Sequence, residues 1–258
     1  MAAAAARQVL ASTPSARDAS FDLASAYAVA NELTRLRRAD GHTTVGVKVG
    51  FANKAVWRAL KLDTLVWGPM YDDTVQYAPA ADAALSLARM ISPKIEPEIV
   101  FRLKAPIDAT TTDPAAVLDV VEWLALGFEI IDCPFPDWKF QPVDFVAGFG
   151  LHAALVVGAP RQVDTAAIPS LVDALSRFQV RLSCNDRVVA EGSGRNSLRS
   201  PALCLAELAS AMSARSDAEP LRAGDLVSSG TLTESQPVAA SFLSARSMRS
   251  AGRIGTLP

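Results

Sequence analysis

Along residues 22–38 apolar positions recur at intervals of three and four: Leu23, Ala26, Tyr27, Ala30 and Leu33. Arg35, Arg37 and Arg38 close the stretch and Gly41 follows it. That spacing predicts an amphipathic helix whose basic last turns suit its C-terminal dipole. At Thr44–Phe51 the period drops to two: Val45, Val47, Val49 and Phe51 alternate with Thr44, Gly46, Lys48 and Gly50. This predicts a strand. A short helix over 54–60 and a strand or loop at 64–67 come next. A strand over about 94–103 follows, and Asp113-Pro114 opens a helix as cap and first residue, with Val117, Val120, Val121 and Leu124 on one face. The apolar run 124–131 predicts another strand, and Val143–Val157 reads as one more, buried. Residues 165–178 suggest a helix. Val180–Ala190 suggests a hairpin turning at Asn185-Asp186, Ser200-Pro201 a helix to about Met212, and Leu226–Leu232 a late strand. Strands outnumber helices without regular alternation, which favours α+β over a doubly wound sheet.

Three acids break the apolar pattern. Glu96 and Glu98 lie in Ile95-Glu96-Pro97-Glu98-Ile99-Val100-Phe101, and Glu129 in Leu124–Ile131. On a strand Glu96 and Glu98 share a face. Neighbouring carboxylates on a half-buried face repel and lose hydration, at a cost of several kcal/mol unless compensated. A cation compensates, and three carboxylates without a nearby His or Cys form an all-oxygen set suited to magnesium, manganese or calcium rather than zinc. The alternative is that one or more is solvated or paired with Arg or Lys.

Lys48 is one charge in an apolar strand between two glycines. It could move a proton or hold an anionic substrate, or it could snorkel or pair with an acid. Lys139, in Asp137-Trp138-Lys139, could reach the same site or be a loop lysine. A Ser-His or Cys-His nucleophile would need His42 or His152, the only two histidines. Both read as structural. Glu191-Gly192-Ser193-Gly194-Arg195 matches neither dinucleotide nor P-loop spacing and reads as a turn.

The bulk numbers narrow the class. The chain has 258 residues, 50% of them hydrophobic, enough for a sizeable core. A formal charge of −2 excludes a strong field for nucleic acid or an anionic membrane. Cys133, Cys184 and Cys204 are too few and scattered for a disulfide framework, so a reducing cytoplasm is the simplest expectation. No run approaches a membrane span. The alanine-rich start, Met1–Arg7, lacks a secretory pattern and reads as a frayed helix.

Taken in order, several stretches resemble the fumarylacetoacetate hydrolase superfamily, and most of all its 2-keto-4-pentenoate hydratase and 4-oxalocrotonate decarboxylase branch. They are Gly46–Gly50, Pro93–Ile99, Phe128–Asp132 with Asp137–Lys139, Gly192–Gly194 before a helix, and Gly224–Thr233, spread over about residues 20–240. The resemblance implies a mixed β-roll or barrel core with peripheral helices and a homo-oligomer. It implies Mg2+ or Mn2+ held by Glu96, Glu98 and Glu129, with Lys48 and Lys139 catalytic and Gly50 and Thr231 binding a small 2-oxo acid. One catalytic domain is expected over 1–258: a helical segment at 1–42, a β-rich core at 43–240, and an atypical, loosely ordered tail at 241–258.

Three departures stand out. The acid that hydratases carry after the lysine motif is Val66 here; the decarboxylases tend to be aliphatic at that place. Asp63, Asp72 and Asp73 are the nearby substitutes. Val146-Ala147-Gly148-Phe149 stands for Val-Ala-Asp-Asn, pointing to a different or more apolar substrate. The tail also does not read as the family's closing strand. The expected activity is a metal-dependent lyase, hydratase first and decarboxylase second. A C–C hydrolase or oxo-acid tautomerase is third, and a non-catalytic metal or small-acid binder is the remaining alternative.

Overall fold

The computed structural model describes residues 8–78 and 83–238, and the backbone of 243–248. Met1–Arg7 lies outside the described residues. Twelve strands are numbered in chain order. β1 (Thr44–Gly50), β2 (Val66–Tyr71) and β3 (Val75–Tyr77) precede the long pair β4 (Pro93–Leu103) and β5 (Val121–Asp132). β6 (His152–Val157), β7 (Arg161–Gln162), β8 (Gln179–Cys184) and β9 (Arg187–Ser193) follow, then β10 (Leu226–Ser228), β11 (Gln236–Pro237) and β12 (Leu243–Met248).

Nine strands form one mixed sheet in the order β2-β1-β10-β4-β5-β6-β3, with β11 added to β4 and β7 to β5. It curls into a half-barrel. β1 runs parallel to β10 and β3 to β6; the remaining neighbours are antiparallel. A second sheet, β12-β8-β9, contains the predicted hairpin. Its turn residues Asn185 and Asp186 both take positive φ, 49° and 63°, a conformation that Asn and Asp tolerate. The α+β β-roll expectation is met.

Helix Leu23–Ala39 starts where the Asp22 carboxylate accepts the Ser25 N–H, and it buries Ala26, Tyr27 and Ala30. Helix Pro201–Ser213 lies almost wholly in the core. No helix among the described residues is long and apolar enough to cross a membrane.

Three expectations change. The helix capped by Asp113 stops at Asp119, and Val121 already begins β5. The run from Val143 is not one strand. Helix Pro142–Ala147, with proline at its first position, is followed by a 3-10 turn at Phe149–Leu151, and only His152–Val157 is extended. In the tail, Leu243–Met248 pairs antiparallel with β8 where little order was expected. The rest of 241–258 lies outside the described residues.

Candidate metal centre

Register gathers the acids. β4 and β5 place Glu96 directly opposite Glu129, and Glu98 opposite Gly127. Cross-strand partners share a face, so all three glutamates project the same way. One carboxylate oxygen from each lies within 4.8 Å of the others. Gly127, opposite Glu98, is tightly packed: a Cβ there would sit 2.7 Å from Val100 Cγ2 and 3.0 Å from the Val156 carbonyl oxygen.

Each acid is held differently. Glu98 Oε2 accepts from Ser228 Oγ at 2.5 Å and from the Gly230 N–H at 2.9 Å. Its Oε1 is buried with no hydrogen-bond partner among the described residues. Glu129 Oε1 meets His152 Nδ1 at 2.9 Å, and His152 Nε2 meets Thr74 Oγ1 at 3.0 Å. Glu129 Oε2 lies 3.0 Å from the Lys48 ammonium, with both side chains buried. Glu96 is half-buried.

Lys48 is paired with Ser228 across the parallel β1–β10 ladder, which puts it on the same face as the glutamates. It is 2% exposed. Its Nζ donates to the Gly150 carbonyl at 3.0 Å and lies 4.9 Å from the Phe145 ring centroid. Gly150, at φ 66°, lets the loop approach this closely; a Cβ there would come 2.7 Å from Lys48 Cδ. Snorkelling is thereby excluded, and pairing with an acid is what the structure shows.

Charge states follow from this crowding. Burial, with Glu129 adding repulsion, pushes Glu96 up to about 7. Burial and Glu129 raise Glu98 well above the carboxylate range. Burial also works against charge on Glu129, but Lys48 and His152 outweigh it and hold that carboxyl low. Burial would lower Lys48, yet attraction to the three acids keeps it charged beyond the usual lysine range. One buried ammonium therefore serves three carboxylates. An orphaned Glu98 oxygen in an all-oxygen donor set fits a hard divalent cation.

The remaining predicted residues make other contacts. Lys139 is 82% exposed, and its ammonium lies 3.4 Å from Asp137. Gly50 ends β1, where a Cβ would overlap the Phe145 ring at 2.4 Å. The Thr231 hydroxyl donates to the Thr233 carbonyl at 2.8 Å. Val66 is buried in the core, while Asp63, Asp72 and Asp73 are exposed. His42 sits beside Asp72 and Asp73 on the surface. His152, read as structural, instead holds a glutamate of the cluster. Ser228, Gly230 and Gly150 also escaped sequence reasoning.

A half-barrel that presents three glutamates and a buried lysine on one face defines a class of metal-site scaffold, and the comparisons name it. Residues 73–257 match the family model described as fumarylacetoacetate (FAA) hydrolase C-terminal, and the chain belongs to the fumarylacetoacetate hydrolase family. It falls in the hydratase and decarboxylase branch. It is 31% identical over 215 residues to the 2-hydroxyhexa-2,4-dienoate hydratase of Comamonas testosteroni, covering 83% of this chain and 78% of that protein. A 4-oxalocrotonate decarboxylase of Pseudomonas sp is also 31% identical, over 194 residues, covering 75% and 70% of the two chains. The solved 4-oxalocrotonate decarboxylase from Pseudomonas putida G7 has the same fold: TM-score 0.85, 24% identity, 95% of this chain and 89% of that one.

Proposed function

We propose that the protein is a divalent-metal-dependent lyase acting on a short 2-oxo acid, in the manner of a 2-keto-4-pentenoate hydratase. The observation that carries this is the buried Lys48 beside the three glutamates. Glu96, Glu98 and Glu129 would hold magnesium or manganese, which supplies Lewis acidity for negative charge developing on the substrate's 2-oxo oxygen. Lys48 handles the proton. Two of its three N–H groups face Gly150 and Glu129, and the third remains for substrate. Held charged, it donates to the carbon end of the conjugated system, and as the neutral amine it takes a proton back. His152 keeps Glu129 in place, and Ser228 with the Gly230 N–H keeps Glu98. Lys139, on the surface, is left out of proton transfer.

A decarboxylase is the second reading, favoured by one feature: Val66 is buried, and the nearby acids Asp63, Asp72 and Asp73 are exposed. Both reactions pass through the same enolate. The reading also includes a homo-oligomer and a cytoplasmic setting. Turnover with magnesium or manganese, followed by NMR on 2-hydroxypenta-2,4-dienoate and on 2-oxohex-3-enedioate, separates the two. Water addition to the first is expected; carbon dioxide from the second would reverse the order. Lys48→Ala should abolish turnover and keep the metal, and normal turnover by that variant would remove the proton-transfer role.

A further inference from the structure

Beyond β1 the chain forms a second cavity, of about 190 Å³, lined by Ala52, Asn53, Lys54, Arg195, Leu198 and Arg199 among others. Three exposed cations line it. Lys54 has one acid near it, Glu207 at 3.7 Å, whose other oxygen is taken by Thr64. Neither the Arg195 nor the Arg199 guanidinium has a carboxylate partner among the described residues. The contrast is a larger cavity of about 310 Å³ beside helix Leu23–Ala39. There Arg38 is bound to Glu219 and Arg215 to Asp217, so two of its three arginines are already paired.

The loop that presents the two arginines is held against its own preference. Leu198 and Arg199 take φ values of 49° and 71°, in the left-handed region that side chains avoid. Three bonds impose this: the Leu198 N–H to the Ala52 carbonyl at 2.8 Å, Ser197 Oγ to the Ser229 carbonyl, and Asn196 Nδ2 to the Leu232 carbonyl at 2.7 Å. These bonds supply the over-determination that holds two non-glycine residues in a costly conformation.

The same bonds tie the cavity to the metal centre. Ala52 is its wall, and a Cβ on Gly230 would meet Ala52 Cβ at 2.7 Å. Gly230 is the residue whose N–H holds Glu98. We propose that this cavity binds an oxyanion through Arg195 and Arg199, with Lys54 adding charge. The anion has two possible sources: a far carboxylate of the substrate whose 2-oxo end lies at the glutamates, or a separate small anion. The first source rests on the lyase reading above; the cavity itself does not.

Calorimetry on the full chain tests it. 2-Oxoadipate and 2-oxohexanoate share the 2-oxo acid head and differ in the far carboxylate. With manganese present, 2-oxoadipate is expected to bind at least ten-fold more tightly. The double variant Arg195→Gln/Arg199→Gln should lose that preference and keep its affinity for 2-oxohexanoate. Inorganic phosphate titrated into metal-free protein covers the other source. Phosphate binding that needs both arginines, with the two oxo acids equal, assigns the cavity to a separate anion. Wild type and variant alike in all three titrations would overturn the proposal. Oxo acids that bind without any dependence on manganese would count against the lyase reading and leave the phosphate result standing.

Discussion

Replacing Lys48 by Met removes one charge and little volume, and its cost can be bounded from the structure. The ammonium lies 3.0 Å from Glu129 and is the one cation buried with the three acids among the described residues. Removing one member of a buried ion pair costs about 3–5 kcal/mol, because the survivor stays desolvated and charged. The variant can escape by letting a glutamate take up a proton. That escape costs about 1.4 kcal/mol for each pH unit above an ordinary glutamate pKa near 4.5. For one glutamate the penalty at pH 8 is therefore capped near 5 kcal/mol, and at pH 5.5 near 1.4 kcal/mol. In a chain of this size about 4 kcal/mol lowers Tm by roughly 8–16 °C. The assay is thermal unfolding of wild type and Lys48→Met in EDTA at both pH values, repeated with manganese. A gap of about that size is expected at pH 8, most of it gone at pH 5.5. Manganese should raise the variant's Tm more than the wild type's, since the cation replaces the lost charge. A gap independent of pH, or an equal lift by manganese, would show that Lys48 does not balance these carboxylates.

Two further predictions concern the surroundings. His152→Ala removes the group that fixes Glu129 Oε1 and should weaken manganese binding about 10–100-fold, with His152→Asn recovering part of it. Electron paramagnetic resonance of free manganese measures this, and unchanged affinity would reduce His152 to packing. Burial pushes the Cys204 thiol up to about 12, and Cys133 is buried too, while Cys184 is partly exposed. Iodoacetamide followed by mass spectrometry should label Cys184 in the native protein and the other two only as fast as the chain unfolds.

Elements with a clean period were legible, and those with unbroken apolar runs were not. Alternation around Lys48 predicted a strand over 44–51, and β1 spans Thr44–Gly50. Asp113-Pro114 marked a helix start correctly, but Val120, Val121 and Leu124 also fit a helical face. Tertiary pairing decides against them: β5 lies opposite β4 along almost its whole length, and Val121, Leu124 and their neighbours are buried in the sheet. In 143–157 an apolar run satisfies helix and strand alike. Pro142 and the glycines at 148 and 150 were the available signs that it would divide, and they govern the backbone there.

The candidate site was legible as residues and not as a network. An odd charge in an apolar strand is visible without a fold, so Lys48 and the three glutamates stood out. What holds them depends on register and on distance along the chain. His152 reaches Glu129 across 23 residues and Thr74 across 78, and Ser228 reaches Glu98 across 130. No local pattern encodes such pairs. Lys139 shows the converse: a charge beside the right motif, carried to the surface by a turn in which Asp137 and Trp138 take positive φ. Arg199 makes the same point from the other side. Its sequence neighbours suggest a plain turn, and only its backbone angle and its lack of an acid partner give it a possible task. A charge becomes a candidate through its neighbours in space, and the sequence shows those only where the strand period already implies them.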